Sequence, residues 1–508
     1  MIRLFIFYVI CILSYPMAMT QEIVLTGKGK ISGISTEDRT IEIYKGIPFA
    51  EAPIGDLRWK APRAAKKWKG IKKCEVFGPS PMQAKPVPFS MWSEEFLIPA
   101  EPISEDCLYL NVWTGSDKRL KRPVVVWIYG GGFVSGGSGV PIYDGEAMAR
   151  KGVVFVSINY RVGIFGFFSH PDLTAESSNK SSGNYGLMDQ IAALKWVQDN
   201  IAAFGGDPDN VTIAGQSAGS MSVNCLVASP QAKGLFKRAI AHSGASFSGK
   251  QLTLEEAEVA GQNMTIKSGI NSLDQLRQLP ADSLLKLQSS ARGPIIDGYI
   301  LPDQIINIFE NGQENSVDLL TGWTQEEGLI FGEIKSAAEY KMQLKSQYPD
   351  YALSLLTYYP ATNDKIAIQS QFDLARDMIF GAQNYTWANR QAAKGNTKTF
   401  VYRFTRKVPG TGDYAKYGAF HTGDIPYAYD NLKFVDRPWQ QIDHQLAEIM
   451  SDYWINFIKT GNPNEQELIH WPEYQESTKK IMELGPDVAS GKIPDKDALD
   501  LVYRIISQ

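Results

Sequence analysis

The chain has 508 residues, of which 44% are hydrophobic and 21% charged, fractions ordinary for a globular protein with a sizeable core. Its 51 basic residues nearly balance its 55 acidic ones, for a net charge of −4. That composition makes no electrostatic case for binding nucleic acid or an anionic membrane.

The first twenty residues differ from the rest. Arg3 is their only charge, residues 4–13 are an apolar run, and Ser14, Ala18 and Thr20 supply small residues before Gln21 and Glu22. Residues 1–20 read as a secretory signal peptide, with an apolar run too short to span a bilayer. Residues 21–508 are then expected to form a single domain of a secreted or periplasmic protein, with no membrane span after cleavage. That part holds Cys74, Cys107 and Cys225, which suggests one disulfide and one spare thiol. Cys225 lies among small and apolar residues and reads as a buried packing thiol.

Taken in chain order, residues 23–49 read as hairpin strands. Apolar runs at residues 108–113, 124–129 and 153–159 follow as strands. Residues 189–201 carry Ile191, Leu194, Val197 and Ile201 at helical spacing. Further strands are expected at 211–214, 238–242, 317–322 and 399–404, with a helix-rich elaboration over 250–375 and a helix over 442–459. Continuous apolar strands alternating with helices predict an α/β fold, a large, mostly parallel, twisted sheet covered on both faces.

Gly215-Gln216-Ser217-Ala218-Gly219 matches the nucleophile-elbow pattern, in which a serine stands on a sharp strand-to-helix turn that only small neighbours permit. The pentapeptide alone is weakly specific. Its context supplies the specificity: a β-type run precedes it and a helix-compatible run follows. A second glycine turn, Gly130-Gly131-Gly132-Phe133, follows the strand at 124–129. No Gly-Lys-Ser/Thr comes after it, so a Walker loop is excluded, and the position suits backbone donors to an oxyanion. Of five histidines, His170 precedes the serine, His242 follows it too closely, His444 lies in a helical pattern and His470 in a late loop. His421 is the best-placed base. Glu326 and Glu327, just past the strand at 317–322, are both candidates for the acid, ahead of Asp297 and Asp303.

Together with Tyr44-Lys45-Gly46-Ile47-Pro48-Phe49-Ala50, Glu105-Asp106-Cys107-Leu108-Tyr109-Leu110-Asn111-Val112, Asn159-Tyr160-Arg161-Val162-Gly163 and Phe204-Gly205-Gly206-Asp207-Pro208, these motifs resemble the type-B carboxylesterases, the family that includes the cholinesterases. The resemblance implies an α/β-hydrolase fold and hydrolysis of carboxylic esters through an acyl-enzyme. It implies a triad of Ser217, Glu327 and His421, with oxyanion donors on Gly131, Gly132 and Ala218. It also implies a Cys74–Cys107 disulfide, structural pairs Arg58–Glu105 and Arg161–Asp189, and a supporting Ser243. No cofactor or metal is expected, and the partner is a small-molecule ester; oligomeric state is left open. Two departures stand out. The family commonly has glutamate where Gln216 stands, which weakens the case for a cationic substrate, and Ser220 replaces a usual glycine or alanine. Trp92 lies in the loop where cholinesterases carry a cation-binding tryptophan, and reads as ordinary packing. The competing reading is a catalytically inactive cholinesterase-like adhesion protein, a class that keeps the fold and lacks the serine.

Overall fold

Val124, Val125, Val126, Trp127 and Ile128 are all wholly buried. Strand Arg122–Ile128 must therefore be covered on both faces, the condition under which parallel sheets form. The computed structural model describes residues 22–247, 251–270, 272–287, 293–330 and 332–507; the segment read as a signal peptide lies outside these. Strand Arg122–Ile128 is near the middle of an eleven-stranded sheet. From it, parallel neighbours extend one way to Val154–Ile158. They extend the other way through Gly206–Gln216, Arg238–His242, Asp318–Thr324, Thr399–Phe404 and Lys480–Leu484. Both margins are antiparallel, with Tyr109–Gly115, Ile41–Pro48 and Ile34–Ser35 at one side and Ala489–Lys492 at the other.

The expected mostly parallel sheet is thus observed, with helices Tyr185–Asn200 and Gln441–Thr460 where the apolar spacing puts them. Strands 238–242 and 399–404 match the sequence reading residue for residue. Elements that went unread include strand Lys480–Leu484 and helix Lys496–Ile506. The helix joins a second core, where Leu499 and Val502 pack with Trp323, Leu355, Tyr385 and Val401. Among the described residues, no helix is long and apolar enough to cross a membrane.

Buried ion pairs tie the segments before and after the first strands to the body. Arg161 meets Asp189 at 2.8 Å, and Arg58 meets Glu105 at 2.5 Å. Breaking a pair this buried costs about 3–5 kcal/mol, because the remaining charge is stranded.

The Cys74–Cys107 disulfide expected from the resemblance is not formed. All three described cysteines are free and buried. The two sulfurs lie in separate surroundings. Cys74 is held at the end of strand Ile71–Lys73 by its N–H to the Ser32 carbonyl and its carbonyl to the Lys45 N–H; Lys72 and Glu75 are its charged neighbours. Cys107 instead faces Arg161 and Asp189 and shares a small enclosed cluster with Arg58, Met82 and Glu105. Burial pushes the Cys74 and Cys225 thiols up to about 12, and raises that of Cys107 as well. A chain beginning at residue 21 should therefore show three thiols reactive to Ellman's reagent when denatured without reductant, and almost none when native. A single reactive thiol in the denatured sample would mean that the disulfide exists.

Candidate active site

Strand Gly206–Gln216 ends directly at Ser217, and helix Ala218–Ala228 begins directly after it. No residue is left for a loop, so the reversal falls on Ser217 itself, at φ 56° and ψ −124°. A non-glycine residue there is strained by about 1–3 kcal/mol. Close packing enforces it. A Cβ on Gly219 would fall on the Ile128 carbonyl, and one on Gly215 would meet the Gly219 backbone. The Ser217 N–H donates to the His242 carbonyl at 2.9 Å. The serine is half-buried while the residues on either side of it are buried, and it sits at the positive end of the helix that follows.

The glycine turn after strand Arg122–Ile128 runs against this elbow. A Cβ on Gly130 would approach the Gln216 carbonyl at 2.7 Å and Ser217 Cβ at 3.0 Å. Gly131 and Gly132 take φ of 107° and 62°. Among the described residues, the N–H groups of Gly131, Gly132 and Ala218 donate no hydrogen bond, so three donors beside the serine are unused.

Strand Asp318–Thr324 brings up the acids. The neighbouring glutamates, indistinguishable by spacing, point to different partners. Glu327 is fully buried and its Oε2 lies 2.8 Å from His421 Nδ1, while its Oε1 accepts the Thr324 N–H at 3.0 Å. Glu326 instead accepts the Ala419 N–H at 2.5 Å and so fixes the backbone two residues before His421. Asp297 caps the N–H groups of Tyr299, Ile300 and Leu301, and Asp303 accepts the Gln304 N–H and the Asn307 side-chain amide. Burial raises the Glu327 carboxyl above the ordinary range; His421, the Ser243 hydroxyl and the Thr324 N–H pull the other way. The Ser243 hydroxyl makes no regular hydrogen bond, so its help is weak, although the Ser243 N–H donates to the Gly322 carbonyl at 2.8 Å.

With Nδ1 committed to Glu327, His421 presents Nε2 to the elbow. The group that meets it is Gln216, whose Nε2 lies 3.0 Å away. Phe380 stacks on the imidazole with ring centres 4.3 Å apart, and Trp92 stands edge-on at 6.2 Å. The Trp92 indole N–H donates to the Thr422 hydroxyl at 3.2 Å. Trp92 therefore does more than the packing expected of it: it walls the candidate base. Sequence reading missed Phe380 and the Gln216 contact, since neither is marked by a motif.

His242 was set aside on chain order, and the structure gives it a different place. It is buried beneath the elbow, with Nδ1 2.9 Å from Asp424 Oδ2 and Nε2 accepting the Trp454 indole N–H at 3.1 Å. Tyr402 also donates to Asp424 Oδ2 at 2.7 Å. His444 and His470 are exposed, and His170 caps helix Pro171–Glu176.

A sequence model of the carboxylesterase family matches residues 20–501. Fumonisin B1 esterase of Sphingopyxis macrogoltabida is 35% identical over 92% of this chain and 87% of its own. Para-nitrobenzyl esterase of Bacillus subtilis is 35% identical over 94% of this chain and 98% of its own. Liver carboxylesterase of Sus scrofa is 32% identical over 92% and 90%. With an α/β-hydrolase sheet and relatives of this kind, the chain belongs to the carboxylesterase family and is a carboxylic ester hydrolase.

Proposed function

We propose that the ester is cleaved by Ser217 through an acyl-enzyme. His421 takes the Ser217 proton as the hydroxyl attacks the carbonyl carbon, and returns it to the leaving alcohol. Water then enters, loses a proton to His421, and releases the acid and Ser217. Glu327 orients His421 and stabilises its charged form. The unused N–H groups of Gly131, Gly132 and Ala218 receive the carbonyl oxygen as it becomes an oxyanion, each worth about 3–4 kcal/mol at the transition state. The carrying observation is the buried 2.8 Å contact between Glu327 and His421, which leaves Nε2 facing the strained serine turn.

Gln216 adds a feature of the resting state. Its amide donates to the lone pair that the Ser217 hydroxyl needs, so His421 turns from Gln216 to Ser217 when substrate arrives. An uncharged Gln216 and the aromatic wall of Trp92 and Phe380 suit an uncharged, apolar ester group beside His421. The relatives' names span fumonisin B1 and para-nitrobenzyl esters, in line with a site whose chemistry is fixed and whose pocket varies.

We read residues 1–20 as an export signal, the remainder as one hydrolase domain, and the site of action as outside the cytoplasm. This rests on the N-terminal charge and hydropathy pattern alone, because three free thiols are no mark of an oxidising compartment.

Two experiments test the scheme. In the hydrolysis of a chain-length series of p-nitrophenyl esters, Ser217→Ala and His421→Ala should each lower kcat by on the order of 10⁶, and Glu327→Gln by on the order of 10⁴. Wild-type rates in Ser217→Ala would sink the assignment. For Gln216→Glu, an added carboxylate beside His421 favours the protonated, inactive imidazolium. The acid limb of kcat/KM should move up by about one pH unit, with little change above it. An unmoved limb would mean that residue 216 does not face the base.

A further inference from the structure

The near-neutral net charge hides a segregated one. Residues 57–74 carry eight Lys or Arg and no Asp or Glu, and residues 23–36 add Lys28 and Lys30, again with no acid. The fold puts these two stretches side by side. Strands Ile23–Thr26, Gly29–Ser32 and Ile71–Lys73 form a separate three-stranded sheet. Trp68 fastens the lysine-rich stretch to the hairpin: its N–H donates to the Lys28 carbonyl at 3.0 Å and its indole N–H to the Lys30 carbonyl at 2.8 Å. The Lys72 ammonium lies 5.4 Å over its ring.

This sheet has two unlike faces. Val24 and Ile31, cross-strand partners, are buried against the body. The adjacent row, Leu25–Lys30–Ile71, faces outward. Ile23, Leu25 and Ile71 are 49%, 66% and 50% exposed, and Lys30, Lys66, Lys67 and Lys69 are exposed around them. Among the described residues, these four lysines form no ion pair. Of the carboxylates flanking these stretches, Glu22 pairs with Lys118, Asp38 with Arg150 and Glu75 with Lys73 at the patch edge, while the exposed Glu37 and Asp56 form no ion pair among the described residues.

We propose that this face docks on an anionic phospholipid surface, the lysines at the headgroups and Ile23, Leu25 and Ile71 among the outer acyl carbons. A soluble polyanion would be served by lysines alone and would gain nothing from exposed aliphatic side chains between them. A single-stranded nucleic acid would want open aromatic faces, and the one aromatic ring here is half-buried under Lys72. The docked orientation follows from the topology. The Gly27 N–H donates to the Asn200 side chain at 2.8 Å, at the C-terminal end of helix Tyr185–Asn200. That helix leads into the start of strand Gly206–Gln216, whereas Ser217 stands at the strand's other end. The bound enzyme turns its proposed catalytic serine toward water.

The test is sedimentation of the full chain with vesicles of phosphatidylcholine alone, or with about 30 mol% phosphatidylserine, at low and high salt. Lys30→Gln/Lys66→Gln/Lys67→Gln/Lys69→Gln and Leu25→Ser/Ile71→Ser are compared with wild type. The wild type should bind only the anionic vesicles, and salt should weaken it. The lysine variant should lose on the order of a hundredfold in partitioning and the aliphatic variant about tenfold. All three should hydrolyse p-nitrophenyl acetate equally, which also reports that the variants are folded. Equal sedimentation of wild type and lysine variant overturns the proposal, as does the absence of binding to either vesicle. Retention on immobilised heparin that matches vesicle binding and ignores Leu25→Ser/Ile71→Ser would assign the face to a soluble polyanion instead.

Discussion

The backbone turn at Ser217 is the constraint on which the site depends. A strand and a helix meet with one strained residue between them, and the strain of about 1–3 kcal/mol persists only because its surroundings leave no alternative. Those surroundings extend further than the glycines. The Ser217 N–H is anchored on the carbonyl of His242. The His242 ring is in turn fixed from both sides: the Trp454 indole N–H occupies Nε2, which leaves the proton on Nδ1 to be donated to Asp424. Asp424 lies three residues past His421, on the same turn of chain. One buried network therefore joins the strand end that carries the serine to the loop that carries the histidine. A shift of either is resisted by the other, which is how parts of different strands hold positions to within a fraction of an ångström.

The candidate acid is held by a different compromise. Glu327 has no exposed surface, and burial alone disfavours its charge. Its carboxyl is raised, so its contribution to stability is greatest at low pH and falls as pH rises through the folded value. The ionised form that can orient a histidine is the less stable one for the fold. What keeps it available is the directed set of donors: His421 Nδ1 on one oxygen and the Thr324 N–H on the other. Phe380 and Trp92 keep water from the imidazole and strengthen that contact in a low dielectric.

Much of this was readable because the relevant patterns are local. Strands 238–242 and 399–404 are short apolar runs with clear ends, and an elbow is a pentapeptide. Strand Lys480–Leu484 escaped notice because Lys480 and Glu483 interrupt its apolar residues, which divide between two cores, Ile481 in one and Met482 and Leu484 in the other. Glu326 and Glu327 could not be separated by spacing, since adjacent residues at a strand end face different neighbours; only the fold shows that one reaches Ala419 and the other His421. The disulfide failed for a related reason. Two cysteines flanking a loop look alike in sequence whether their sulfurs converge or, as here, have different charged neighbours, Lys72 and Glu75 for one and Arg161 and Asp189 for the other. Gln216 was read as an absent charge, whereas its position makes it a donor to the candidate base.

Net charge misleads in the same way, by averaging over what the fold separates. In a parallel sheet with crossover helices, the two ends of the strands are electrostatically unlike. Helix N-termini gather at the strands' C-terminal ends, where helix Ala218–Ala228 presents its positive pole to Ser217. Helix C-termini gather at the opposite end. The hairpin of the lysine-bearing sheet is bonded to the last residue of helix Tyr185–Asn200, at its negative pole. The proposed oxyanion and the lysine-bearing sheet therefore belong to opposite ends of the same strands, which keep the anion-binding end apart from the cationic face.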